Sequence, residues 1–145
     1  MDKKIIYIFL GIIIILIIVM YITNISKKSN DLENEYFKEL SPGIFTNTSE
    51  LLKNEKSTNN YKITDAFLNM KDGISYIKFK IVNTSGSNID KKDLKVKFIT
   101  SQNTIIKELY ISINPLKKGE EIMIKYDIQS DLSNCIDIIF EEVIK

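Results

Sequence analysis

The chain has 145 residues, with 20 basic and 19 acidic side chains and a net charge of +1. Past residue 22, eighteen lysines face eighteen acids with no basic block, which speaks against the concentrated positive field of a nucleic-acid binder. One cysteine, Cys135, excludes an intramolecular disulfide, and the lack of histidine removes the commonest general base and metal ligand. All basic residues are lysine, Ala66 is the only alanine, and isoleucine and asparagine are abundant. This bias resembles the codon usage of an AT-rich bacterial genome.

The first element is IIYIFLGIIIILIIVMYI, residues 5–22, eighteen residues without a charge. As a helix it would span about 27 Å, close to the hydrocarbon thickness of a bilayer. It is apolar on every face, unlike a core helix, and Tyr7 and Tyr21 lie near its ends, where aromatic belts sit. A cleaved signal peptide would have a shorter apolar run and a small-x-small site. Here Asn24 and Ser26 make a poor site, and no cysteine follows for lipoprotein processing. The expectation is a retained single membrane anchor, residues 1–28 with its flanks, and a lipid bilayer as the partner of residues 5–22. Lys3 and Lys4 on one side balance Lys27 and Lys28 on the other, so charge alone leaves the orientation nearly tied. The short amino-terminal flank favours the domain outside. Gly11 stands alone, with no GxxxG to mark a pairing face.

Residues 29–60 read as a short helical stalk and a polar linker. Ser29 or Asn30 can cap a helix, Asp31, Glu33 and Glu35 suit its positive end, and Leu32, Tyr36, Phe37 and Leu40 share one face. Ser41-Pro42-Gly43 stops it. The stretch TNTSELLKNEKSTNN that follows is polar, with room for one helical turn.

From residue 61 to 145 the period changes to two. Tyr61–Met70 predicts a strand closed by Asp72-Gly73, a hairpin-type turn. Ile77, Phe79 and Ile81 alternate with Tyr76, Lys78 and Lys80; Leu94, Val96 and Phe98 alternate with Lys95 and Lys97. Leu109, Ile111 and Ile113 form another inward row, as do Ile122, Ile124, Tyr126 and Ile128, and then Ile136, Ile138 and Phe140. Six short strands at roughly ten-residue spacing, with no helix long enough for a βαβ unit, predict an all-β antiparallel sandwich behind a single amino-terminal transmembrane helix.

The run YIKFKIVNTSG, Tyr76 to Gly86, the strand LKVKFIT and the segment NPLKKGEE resemble the FxLYD-type immunoglobulin-like domains of bacterial cell-envelope proteins. Asn83, Thr84, Ser85 and Gly86 match one turn of that family, and Leu116, Gly119 and Glu120 match another. Where the family carries an aromatic-x-Leu-Tyr-Asp strand, this chain has Val96-Lys97-Phe98-Ile99-Thr100. The resemblance covers residues 61–143. It implies a small immunoglobulin-like sandwich, extracytoplasmic and membrane-tethered, with no general catalytic activity.

The charged side chains form no catalytic, cofactor or metal constellation in sequence. Asp90 and Asp93, in NIDKKDL, are too few and too widely set for a calcium loop. Asp131 suits the cap of the DLSN turn. Glu120-Glu121 and Glu141-Glu142 are adjacent pairs that point to opposite faces of a strand and cannot act together. Cys135 reads as a small core residue beside CIDIIF, with nothing near it to lower its pKa. Lys78, Lys80, Lys95 and Lys97 read as a solvated sheet face or, if their strands are neighbours, as a lysine face for anionic wall polymers or lipid head groups. The functional expectation is a non-catalytic binding or scaffolding module of a bacterial cell envelope, with an envelope protein as a possible partner. An accessory enzyme or solute-binding component and a membrane-tethered cytoplasmic domain are the alternatives.

Overall fold

The computed structural model describes residues 13–23 and 36–143. They belong to two compact units, the first ending at Leu32 and the second running from Glu33.

In the first unit, residues 13–23 form a helix, α1, and every large apolar side chain from Ile13 to Ile22 is exposed. Among the described residues no helix is long and apolar enough to cross a membrane. Residues 5–12 of the expected anchor lie outside the described residues.

Among the described residues, the second unit holds nine strands and one helical turn. In chain order they are β1 (Phe37–Ser41), β2 (Ile44–Asn47), α2 (Glu50–Lys53), β3 (Lys56–Ser57), β4 (Tyr61–Lys71), β5 (Ile74–Asn83), β6 (Lys92–Ile99), β7 (Ile105–Ile113), β8 (Glu121–Ile128) and β9 (Asp137–Glu142). The six strands expected from residue 61 onward are β4 to β9. All pairings are antiparallel. One sheet has the order β1-β2-β4-β5-β8, with β3 also on β4; the other has the order β7-β6-β9.

The two sheets share one core. Ile63, Leu68, Ile77, Phe79 and Ile81 from the larger sheet join Leu94, Val96, Phe98, Ile113 and Ile138 from the smaller one. Phe79 and Phe140 meet across the interface with ring centroids 4.9 Å apart. Each such buried side chain stabilises the fold by roughly 1.5 to 3 kcal/mol, which suits a small core without disulfides. Cys135 is part of that core, and its burial pushes the thiol up to about 12. In β8 the expected inward row is only partly covered: Ile128 is buried, Ile122 and Ile124 are half-buried, and Tyr126 is exposed.

A bulge sets the parity of β4. Tyr61 and Ile63 point inward before it, Ala66 and Leu68 after it, and the register to β5 slips between Thr64 and Phe67. Asp65 takes φ +55° there, so one extra residue is absorbed without turning the apolar set outward. Asp72-Gly73 forms the expected two-residue hairpin loop, both residues at positive φ.

The expected stalk helix is corrected within the described residues. Phe37–Ser41 is strand β1, turned at Pro42-Gly43 onto β2, which in turn pairs with β4. Gly43, at φ +75°, supplies the conformation that the turn requires. The polar stretch after it does contain one helical turn, α2, but it is no free linker. Leu52 is fully buried, and Thr46, Asn47 and Ser49 are buried with it. Asn47 donates from its side-chain amide to the Cys135 carbonyl (2.6 Å), tying this segment to the start of β9.

Candidate interaction surface

The two turn segments singled out in the sequence meet in space. The Asn83 side-chain amide donates to the carbonyls of Ser87 (2.7 Å), Leu116 (3.1 Å) and Lys117 (3.0 Å). Its oxygen accepts from the Ser85 amide and hydroxyl. Gly119 N–H donates to the Asn83 carbonyl, and Asn83 N–H to that of Glu120. All of this capacity is spent on locking two crossings between the sheets, so Asn83, Thr84, Ser85, Gly86, Leu116, Gly119 and Glu120 act as framework. Asp131 caps its turn as expected, accepting from Ser133 N–H at 2.8 Å.

The four lysines considered together in the sequence are separated by the fold. β5 lies in the larger sheet and β6 in the smaller one, so Lys78 and Lys80 face away from Lys95 and Lys97. Lys95 pairs with Glu108 at 2.9 Å and lies 5.7 Å from the centre of the Tyr110 ring. The bond to Glu108 is the main reason its ammonium titrates above the ordinary range. Lys97 pairs with Glu141. That outer face is therefore a ladder of matched charges. Asp93 accepts a hydrogen bond from the Ser112 hydroxyl, and among the described residues no group of three or more His, Cys, Asp or Glu side chains is placed to hold a metal ion.

On the larger sheet the register places Phe67, Lys78 and Lys125 in one row across β4, β5 and β8. Lys80 and Met123 form the next row. Asp65 and Glu121 stand 3.4 and 3.7 Å from Lys80. Asp65, Phe67, Lys78, Lys80 and Met123 line a shallow hollow of about 400 Å³.

A second concavity runs along β9. Among the described residues this strand pairs with β6 alone. Val143 N–H donates to the Asp93 carbonyl at 3.0 Å, and with the antiparallel register this turns the odd-numbered residues of β9 toward β6. The even-numbered backbone groups, those of Ile138 and Phe140, turn away from β6; Ile138 is fully buried and Phe140 nearly so. Ile138 N–H is taken by the Asp137 carboxylate at 2.7 Å, which leaves the Ile138 carbonyl and the Phe140 amide and carbonyl outside any ladder. Opposite them stand Leu51, Asn54, Lys56 and Ser57, and the groove between has a volume of about 250 Å³. Leu51 and Ile139 present apolar surface at its rim.

The two ends of the groove are fixed by charge. At one end Lys56 pairs with Asp137 at 2.8 Å, both largely shielded. At the other, Glu142 accepts from the Thr58 hydroxyl (2.6 Å), the Asn60 amide N–H (2.7 Å), the Asn60 side chain and Lys92 (3.2 Å). Burial alone would raise this carboxyl, but these donors outweigh it and hold Glu142 below the ordinary carboxylate range. Tyr61 beside it is raised, by burial first and then by the Glu142 charge. The sequence offered alternation for β9 but no signal for the groove, whose far wall comes from the segment read as linker.

No family model matches this chain, and no curated protein matches it. Two solved structures resemble it. One is a DUF1425 family member from Shewanella sp. pv-4, with 10% identity and a TM-score of 0.42 over 75% of this chain and 97% of that one. The other is Campylobacter jejuni cj0090, with 16% identity and a TM-score of 0.35 over 48% of this chain and 73% of that one.

Proposed function

We propose that this chain is a membrane-anchored, extracytoplasmic binding module of a bacterial cell envelope, non-catalytic, which takes an extended protein segment along the open side of β9. The carrying observation is the far edge of β9: strand backbone outside the β6 ladder, beside a groove with apolar rims and fixed ends. An extended segment would add main-chain hydrogen bonds to the Phe140 amide and carbonyl and set alternate side chains against Leu51 and Ile139.

The strand order supports an immunoglobulin-like assignment. In such sandwiches strands A, B and E share one sheet, and C, F and G the other. Here β4, β5 and β8 take the places of A, B and E; β6 and β9 take those of C and F, with β7 beyond C. The open side of β9 is where strand G would pair, so a guest strand there would complete a known architecture. The resemblance to FxLYD-type domains favours an extracytoplasmic setting. The uncharged run of residues 5–22, whose described part exposes every large apolar side chain, favours the anchor.

Display selection of extended peptides against the chain, followed by amide exchange, tests the binding mode. The selected peptides should slow exchange of the Phe140 amide and lose affinity when Ile139→Lys is introduced. Peptides that bind while Phe140 exchange is unchanged would refute the strand-addition mode.

A further inference from the structure

The outer face of the larger sheet carries a charge arrangement that the sandwich itself does not need. Lys78 and Lys125 are directly opposite each other on β5 and β8. Like charges at such positions are destabilising. Both are exposed, and among the described residues neither has an acidic group within ion-pairing distance. The contrast is with Lys80 beside them, held near Asp65 and Glu121, and with Lys95 and Lys97, each matched by a glutamate. Exposed apolar side chains frame the unmatched pair: Phe67 extends its row, Met123 stands in the next, and Tyr76 lies one row to the other side, opposite Asp127.

We propose that this face, centred on Phe67, Lys78 and Lys125, rests on an anionic lipid headgroup surface. The proposal rests on the membrane-anchor reading. Lysines supply phosphate contacts, worth about fivefold in partitioning per charge near an anionic bilayer. Phenylalanine, tyrosine and methionine suit the boundary between headgroup and acyl chain. Residues 24–36 can span at most about 45 Å, so a chain anchored through residues 5–22 keeps the domain within reach of the surface. Asp127 on one side, and Asp65 and Glu121 beside Lys80 on the other, limit the basic area to the Lys78–Lys125 row. Facing the bilayer this way leaves the β9 groove on the other sheet's edge.

The absence of tryptophan provides the test. Phe67→Trp puts a single emitter on this face, and Tyr110→Trp puts one on the opposite, charge-matched face. The full chain of each is incorporated into lipid nanodiscs, with and without anionic lipid, with bromine-labelled lipids as quenchers. The proposal expects quenching and a blue shift for Phe67→Trp in anionic discs, lost with Lys78→Glu plus Lys125→Glu, and neither for Tyr110→Trp. Equal quenching of both positions, or of neither, in discs that contain the chain would overturn it. A chain that fails to enter discs at all would overturn the anchor reading as well, and is told apart by co-purification with the disc.

Discussion

Thr58 donates its hydroxyl to Glu142 at 2.6 Å, joining the end of the polar amino-terminal segment to the last strand, 84 residues later. With Asn60 and Lys92 this makes Glu142 the clasp that closes one end of the β9 groove.

The clasp gives a pH signature. Because the folded carboxyl is held below its ordinary range, its contribution is complete above the unfolded value, roughly pH 4.3, and is lost as pH falls through the lowered folded value. Glu142→Gln should flatten the loss of stability between about pH 5 and pH 3. At neutral pH it should cost about 2 kcal/mol, from charge-assisted hydrogen bonds weakened to neutral ones. Urea midpoints across that range for both proteins check this, and parallel curves would contradict it.

Leu52 shows what the polar stretch hides. It is fully buried from a single helical turn, whereas its neighbour Leu51 is 48% exposed. Leu52→Ala should cost about 2 to 5 kcal/mol, and Leu51→Ala no more than about 0.5 kcal/mol. Denaturant unfolding of the two variants separates them. Equal effects would mean that α2 does not plug the core.

Asn83 separates geometry from polarity. Its amide serves three carbonyls, so Asn83→Ala orphans them at a cost of about 1 to 3 kcal/mol. Asn83→Asp keeps the shape but sets a carboxylate against those same carbonyls, and should be at least as damaging as Asn83→Ala. Thermal unfolding of both variants checks the order.

Cys135 should be inert. With its thiol pushed up to about 12 by burial, native protein should resist thiol reagents near neutral pH and react fully once unfolded. Rapid labelling of the native chain would contradict its place in the core.

The strands β4, β5, β6 and β9 were legible because each buries one face, and alternation of apolar with polar side chains reports that directly; β7 and β8 kept the alternation although their inward rows are only partly covered. β1 was not. Leu32, Tyr36, Phe37 and Leu40 fit a helical period, and Glu, Lys and Leu are good helix formers. The strand exists because β2 bridges β1 to β4, a pairing across more than twenty residues that no local pattern reports. The lysine face failed for a related reason. The turn at Asn83–Gly86 lets the two strands be neighbours, yet the chain there crosses between sheets, so β5 and β6 are not neighbours. The β9 groove was illegible because its far wall depends on one leucine in a polar run.

Protease treatment of intact, wall-stripped cells carrying a carboxy-terminal tag on this chain asks most directly whether the sandwich is displayed outside the membrane. Loss of the tag in intact cells, with the chain retained in the membrane fraction, is the expected result. A tag lost only after lysis would place the domain in the cytoplasm and contradict the envelope-module reading.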